Sequence, residues 1–552
     1  MKYISLVILL VIFIFASIFV GKYIYNILFG TKSFVDKVMD KVDNFIYKIS
    51  GIKGEKMTWK QYLKALLITN IAMIVVAFLV LIAQYFISGV KNPLLKVNWH
   101  TAFNTAISFM TNTDLQDYTG ESNLTNLSQM IVITFMMFTS AGTGFAACGA
   151  FIRGITGNPL GNYYRDLVRI ITRLLIPVSI VASVIMIWQG VPQTLESHKI
   201  VQTLEGSSQT IAYGPVASLE SIKHLGTNGG GFFGANSAHP FENPTPLTNF
   251  IEMILMMFTP GAYFYVFGKA TKHKKNGMAM FAAALFLFLM VIPIILHAEM
   301  GGNHVMNTAG IQNTLGNMEG KEVRNGVFDS SIFSVVTTAF TTGSVNNMHD
   351  SLTALGGAVP MWNMMLNLVF GGKGVGFMNL IVYAMLAVFI CGLMVGRTPE
   401  FLRRKIEGKE MKIIAAVILI HPFLILLPTA IAAATGQASL GGYHGFSQML
   451  YQFSSSAANN GSGFEGLADT TAFWNVSAGI VMFLGRYISI GLLLALAGSM
   501  MEKTPVPESS ISFRTDKPLF VGVLIAVILI IGALTFLPAL VLGPISEFLT
   551  LV

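Results

Sequence analysis

Four stretches of glycine, asparagine, serine and threonine recur along the chain at nearly equal distances, and they constrain the fold more than any other feature. The sharpest is Thr227-Asn228-Gly229-Gly230-Gly231-Phe232-Phe233. Three consecutive glycines lose the most backbone entropy and pack no side chain, so the run holds neither a helix nor a strand and exposes backbone instead. Ser108-Phe109-Met110-Thr111-Asn112-Thr113 precedes it, and Ala339-Phe340-Thr341-Thr342-Gly343-Ser344 and Ala457-Ala458-Asn459-Asn460-Gly461-Ser462 follow. With Thr113, Gly229, Gly343 and Gly461 taken as equivalent, the intervals are 116, 114 and 118 residues. One such cluster is also what an ordinary surface turn looks like. Four at a near-constant period, several times longer than a solenoid repeat, predict four covalently joined units that each give one loop to a shared axis.

The setting of these loops is apolar. Hydrophobic residues make up 53% of 552 positions and charged residues 11%, which places the chain among polytopic membrane proteins. In that setting bare carbonyls are tolerated only where they line a cavity or replace an ion's hydration shell. The net charge of +8 does not point to nucleic acid, because the basic residues lie in short loops between apolar runs, as orientation signals do. Ten spans are drawn at 4–24, 63–89, 126–149, 169–188, 248–268, 278–298, 361–395, 412–435, 474–500 and 519–541. The first has no small-x-small cleavage site before Gly21 and reads as a retained helix rather than a signal peptide. Lysine and arginine concentrate after spans one, three, five, seven and nine, so both termini and all four loops are expected outside.

Each loop follows a stretch that suits a re-entrant half-helix: Trp99 to Met110, Val216 to Leu225, Ser330 to Phe340, and Phe446 to Ala457. A half-helix whose carboxyl end meets the axis presents partial negative charge there and favours cations. Backbone carbonyl rings suit larger, easily dehydrated cations such as potassium, although carbonyl number alone does not separate K⁺ from Na⁺.

The fourfold helix–loop–helix unit resembles the superfamily of potassium transporters built from four linked pore units. Within it, the Thr227–Phe233 run, Asn459-Asn460-Gly461-Ser462-Gly463-Phe464-Glu465-Gly466 and Gly396-Arg397-Thr398-Pro399-Glu400 resemble the KdpA family, the potassium-binding, pore-forming component of the Kdp potassium-transporting P-type ATPase. The resemblance covers nearly the whole chain. It implies an all-α, potassium-channel-like fold with ten transmembrane helices: four units around a central pore and an extra helix at each end. The units are placed at 62–153, 154–276, 277–410 and 411–507, after a first helix and cytoplasmic linker at 1–61 and before a last helix at 508–552. It further implies a bacterial plasma membrane location and a non-catalytic role. Potassium is the substrate, no cofactor is bound by this chain, and the ion passes sideways to a catalytic P-type ATPase subunit (KdpB-like). A single-span accessory subunit (KdpC-like), a small peptide (KdpF-like) and membrane lipid complete the expected partners. The sequence itself has no Asp-Lys-Thr-Gly and no Gly-x-x-x-x-Gly-Lys-Ser/Thr motif, which fits ATP hydrolysis in a partner.

By analogy with the family, the potassium ligands are backbone carbonyls and some side-chain oxygens of Thr111, Asn112 and Thr113, of Thr227, Asn228, Gly229 and Gly230, of Thr341, Thr342 and Gly343, and of Asn459, Asn460 and Gly461. Thr113 stands where the other loops have glycine, a poor choice if φ must be positive there. Either that loop takes another conformation or the ring is asymmetric. Gln116 is placed at the filter mouth, either ordering water and ions or as a polar residue of the membrane surface. Asp114 and Asp117 either concentrate cations at the entrance or are simply solvated. Gly371, Gly372, Lys373, Gly374 and Gly376 interrupt span seven below the filter, as a gate that leaves a sideways route or as a plain kink. Lys373 would be a fixed positive charge at the exit, and Arg486 in span nine would pair with a carbonyl or carboxylate near the gate or tunnel. Arg397 snorkels at the end of span seven.

Tyr487, Phe232, Phe233 and Phe464 read as packing around the filter, and Cys148 and Cys391 as packing residues. His239, His297, His304, His349 and His444 have no metal-site spacing. The stretch from Ser197 to Gly214 reads as a mobile external loop. Two alternatives stand beside the main reading. One is a stand-alone potassium channel or ion-coupled symporter of the same superfamily; the other is a membrane enzyme or lipid transferase, for which the sequence has no clustered carboxylates, histidines or nucleophile.

Overall fold

The structure is a computed structural model that describes residues 2–551 except 31–35, 90–91, 312–313, 395, 397 and 508–513. Among these, ten helices are long and apolar enough to cross a bilayer: Lys2–Phe29, Trp59–Ile87, Asn126–Ile155, Tyr163–Trp188, Pro246–Ala270, Lys274–Met300, Val375–Met394, Gly408–Ala434, Ala472–Glu502 and Pro518–Leu551. All ten expected spans have a counterpart, and the chain is a multi-pass membrane protein. Their starts are set by local chemistry. Thr58 and Gln61 form a reciprocal capping box ahead of the second, and Thr245 caps the fifth with Pro246 at its first turn.

Burial sorts the helices into layers. In its most apolar window the third span is 78% buried, as is the fifth, against 22% for the first, so the third and fifth form the centre and the first faces lipid. Phe15 and Phe19 of the first are correspondingly exposed. That outer helix lies against the fifth span through small residues. A Cβ on Gly261 would fall 2.3 Å from Ser17 Oγ, and one on Gly21 2.8 Å from the Ala262 oxygen, so backbone approach sets the contact.

Four shorter helices stand between spans two and three, four and five, six and seven, and eight and nine: Trp99–Met110, Val216–Leu225, Gly326–Ala339 and Gly442–Ala458. The first two have the expected ends, and the others begin four residues earlier than expected. Span seven differs more. The expected 361–395 is a separate helix, Ala354–Leu366, followed by irregular backbone and then Val375–Met394. The break carries four residues with positive φ, Asn367 at 46°, Phe370 at 59°, Gly371 at 60° and Gly374 at 78°. Such a cluster is a built interruption of the helix rather than a kink.

The stretch from Ser197 to Gly214, expected as a mobile external loop, contains regular structure. His198–Gln202 pairs antiparallel with Ser208–Ala212 as a hairpin, which its Ile, Val and Thr content favours.

The last half-helix is tied down at its start. His444 Nδ1 lies 2.9 Å from Glu547 Oε1 and its Nε2 3.1 Å from Asp350 Oδ1. The hydrogen bonds to Asp350 and Glu547 hold the imidazole up at about 10, against an ordinary 6.5. A raised pKa stabilises the fold fully below the unfolded value, and the contribution disappears as pH climbs through the folded one. The melting midpoint of the wild type should therefore exceed that of His444→Gln near pH 6.5, and the gap should close as pH approaches 10. A gap independent of pH would exclude this ion pair as its source.

Candidate functional site: a fourfold carbonyl cradle

The four half-helices end in one and the same turn. The N–H groups of Thr113, Asn228, Thr342 and Asn460 donate to carbonyls five residues back, on Ser108 (2.9 Å), Lys223 (2.8 Å), Thr337 (2.8 Å) and Ser455 (2.9 Å). The residue before each is left-handed: Asn112 at φ 58°, Thr227 at 49°, Thr341 at 47° and Asn459 at 53°. This is the Schellman termination of a helix, repeated four times. Thr227 and Thr341 hold it despite β-branching, a strain of roughly 1–3 kcal/mol that tertiary contacts must offset.

These bonds define the register between loops and correct the sequence alignment by one position. Thr113 matches Asn228, Thr342 and Asn460, and the counterpart of Gly229, Gly343 and Gly461 is Asp114. Asp114 is itself left-handed at φ 59°, beside Gly343 at 87° and Gly461 at 107°. Aspartate enters that region far more readily than threonine. In the second loop the positive φ falls one residue later, on Gly230 at 72°.

The loops meet. A Cβ placed on Gly229 would lie 2.8 Å from the Thr113 oxygen, 3.0 Å from Thr342 O and 3.1 Å from Asn460 O. Carbonyls of the other three loops therefore converge beside this glycine. Side chains at Gly343 and Gly461 would intrude as well, each 2.0 Å from a carbonyl, that of Asn460 and that of Thr113. Glycine is required here by close approach of backbone.

Side chains cross-link the ring. Asn112 Nδ2 donates to Thr227 O at 2.9 Å, Asn459 Nδ2 to Thr113 Oγ1 at 2.9 Å, and Asn460 Nδ2 to Thr337 O at 3.0 Å. Thr111 is fully buried, with its hydroxyl 2.8 Å from that of Thr113. Asp114 is not solvated: it is buried and accepts from Gly229 N at 3.1 Å. Gln116 is half-buried in the wall of the cavity that opens onto the loops. It clasps Gly231 reciprocally, accepting from its N–H at 2.8 Å and donating to its carbonyl at 3.0 Å. Ser140 of the third span donates to Asn112 Oδ1 at 3.0 Å and accepts from Asn228 Nδ2 at 3.3 Å. Arg486, 2% exposed, donates to the Ser140 carbonyl at 3.3 Å, so the expected carbonyl partner belongs to the wall behind the first two loops.

Sequence reasoning missed a buried ion-pair network behind the second loop. Lys223 Nζ, fully enclosed, reaches Glu220 at 2.6 Å, Glu242 at 2.8 Å and Asn236 Oδ1 at 2.9 Å. The other Glu242 oxygen accepts from Phe233 N at 2.7 Å, holding the end of the glycine run. The available signal was Glu220 and Lys223 three apart in a short apolar helix. Phe232, Phe233, Phe464 and Tyr487 are buried packing.

On one side of the ring lies the break in span seven. A Cβ on Gly372 would fall 2.6 Å from Thr341 O and 2.7 Å from Thr227 Oγ1, and Gly371 N donates to Ala339 O at 2.9 Å. Phe370 stacks on Phe340 at 4.8 Å between centroids. Backbone at Gly371 and Gly372, where a 3₁₀ turn over Gly372–Gly374 begins, thus closes directly against the loops, whereas Gly374 packs on Cys148 and Gly376 lies in the following helix. The side chain of Lys373 lies outside the described residues, as does Arg397. Beside the break a small cavity of mixed character touches Asn459, with Asn367, Asn379, His421, Ser489 and Thr535 among apolar residues such as Val382, Val417 and Phe536 in its wall. On the opposite side a cavity of about 540 Å³ opens onto Gly230, Gly343 and Gly461. Asp117 in its wall is 6% exposed rather than solvated.

A ring of carbonyls at the negative ends of four helix dipoles is suited to holding a dehydrated cation. Known proteins share both the sequence and the shape. The protein named "Potassium-transporting ATPase potassium-binding subunit" from Clostridium acetobutylicum is 55% identical over 559 residues, covering 100% of both chains. The proteins of that name from Geobacillus kaustophilus and Caldanaerobacter subterraneus are 52% and 53% identical, covering 99% and 96% of this chain and 98% and 96% of their own. In shape the chain is similar to the crystal structure of the potassium transporter TrkH from Vibrio parahaemolyticus. That likeness has a TM-score of 0.54 at 13% identity, covers 87% of this chain and 98% of the other, and speaks to the fold alone. The sequence model of the family described as "KdpA: Potassium-transporting ATPase A subunit" matches residues 7–549. With that match spanning almost every residue, the chain belongs to the KdpA family of potassium-transporting ATPases, as one of its potassium-binding subunits.

Proposed function

We propose that this chain is the potassium-binding and translocating component of an ATP-driven uptake complex. It takes K⁺ from the outer face of a bacterial plasma membrane in the four-loop filter. It then hands the ion to a catalytic P-type ATPase partner, with a small peptide and a single-span accessory chain beside the two. The observation that carries this reading is the approach of the Thr113, Thr342 and Asn460 carbonyls to Gly229. The ligands are drawn from Thr111–Thr113, Thr227–Gly230, Thr341–Gly343 and Asn459–Gly461. The four units at 62–153, 154–276, 277–410 and 411–507 each supply one loop, and both termini face outside. The break at Gly371–Gly376 bars the straight path to the cytoplasm, and the cavity past Asn367 and Asn379 supports a lateral one.

Two experiments test the proposal. In liposomes the purified chain alone should not conduct K⁺, whereas the complex co-purified from native membranes should hydrolyse ATP in response to K⁺. Conduction by the chain alone would favour the channel or symporter reading. For the lateral path, Asn379 donates to Asn367 O at 2.9 Å in the wall of that small cavity. Asn379→Leu should leave K⁺ binding within about twofold of wild type and reduce K⁺-stimulated ATPase at least tenfold, about 1.4 kcal/mol of barrier. Normal turnover in that variant would move the exit elsewhere.

A further inference from the structure

The large cavity above the loops contains a pair of carboxyls that the filter does not use. Its wall carries Asp114, Asp117, Glu465 and Asp469 against one ammonium, that of Lys96. Asp114 is committed to Gly229 N. Asp117 is different. It is 6% exposed, and among the described residues no donor reaches either of its oxygens. The group that faces it is the carboxyl of Asp469, close enough for the two to share a hydrogen bond when one of them is protonated. Burial and then the charge of Asp469 push Asp117 well above the usual carboxylate range, and burial raises Asp469 to about 6. A buried carboxylate facing a second, half-buried one is tolerated only with a proton or a cation between them. One residue follows the first loop and the other follows the fourth, so the pair bridges two units at the rim.

We propose that Asp117 and Asp469 form a divalent-cation site at the mouth of the vestibule, and that an ion such as Ca²⁺ or Mg²⁺ held there slows the entry of K⁺ to the loops. The inference rests on the reading that this face is outside and that the loops take K⁺. Hard carboxylate oxygens suit Ca²⁺ or Mg²⁺, and a cavity of about 540 Å³ leaves room for the waters that complete the shell. A divalent ion is attracted twice as strongly as K⁺ by the same negative charge at equal distance, and its binding displaces the proton that the two carboxyls otherwise share. A bound divalent charge lowers the local concentration of K⁺ in the same cavity, which opens onto Gly230, Gly343 and Gly461.

The test uses K⁺ uptake by intact cells in which this complex is the sole uptake route, with external Ca²⁺ raised from a chelated baseline to about 10 mM. Sites of this kind at outer surfaces bind on the order of 10⁻⁴–10⁻³ M. The half-saturating K⁺ concentration of the wild type should rise several-fold across that range. In Asp117→Asn and in Asp469→Asn the rise should vanish, while the value under chelator stays within about twofold of wild type. On the purified complex, Mn²⁺ titration followed by its electron-spin signal should count one site fewer per chain in either variant. Wild-type uptake indifferent to Ca²⁺, or variants that respond and bind Mn²⁺ as the wild type does, would overturn the proposal and leave a pair that merely shares a proton. Uptake under chelator keeps the two readings apart, because its loss would count against the filter and its survival without Ca²⁺ sensitivity against this site alone.

Discussion

Gly229→Asp is expected to lower apparent K⁺ affinity by on the order of 100-fold or more, or to remove K⁺/Na⁺ discrimination, while the complex still assembles. Even a bare Cβ would stand 2.8, 3.0 and 3.1 Å from three carbonyl oxygens, tighter than ordinary contact. The loops would have to spread, and carbonyls that spread no longer replace a hydration shell of one size. The carboxylate adds a charge in the ring and competes for the N–H that now donates to Asp114. Assembly should survive because this glycine faces the cradle and not the lipid-facing surface. The measurement is K⁺- and Na⁺-stimulated ATPase of the purified complex against ion concentration. Unchanged half-saturation and selectivity in an assembled complex would remove this loop from the filter.

Lys223→Met should be the most damaging change outside the ring. Lys223 is the ammonium shared by Glu220 and Glu242, and all three are fully buried. Removing it leaves two carboxylates without their cation, and breaking a buried pair from one side costs about 3–5 kcal/mol. The loss passes to the filter through Glu242, which holds Phe233 N at the end of the glycine run. A lower melting midpoint is expected together with weaker K⁺ affinity. Lys223→Met combined with Glu242→Gln should recover part of the stability, because the charge left behind is smaller. A single variant that melts and binds K⁺ as the wild type does would show that the network plays no part in shaping the loop.

Much of this site was readable from the chain. Three glycines in a row, and their polar counterparts at near-constant spacing, mark backbone that must be exposed, and apolar runs of bilayer length mark the spans. The half-helix Val216–Leu225 has the ends the sequence predicted, because Gly226 and Thr227 stop it. Where sequence and structure differ, backbone conformation rather than residue type decides. Thr113 was matched to glycines by its neighbours, whereas the left-handed residue is Asp114. Asp117 and Asp114 looked like surface acids because neither burial nor a partner more than a hundred residues away is written in local composition. The hairpin at 198–212 was hidden by its polar residues, since an exposed two-stranded ribbon needs no apolar face.

Crossing a membrane about ten times and exposing backbone at four points follow from the order of residues alone, because apolar length and glycine runs are local properties whose free energies do not depend on distant residues. Which carbonyls face one another, which acid occupies the glycine-equivalent position and which buried charges are neutralised emerge only from the packed fold. Those outcomes depend on ångström-scale distances between segments far apart in the chain, and a hydrogen bond or ion pair gains its energy only once packing has brought both partners together.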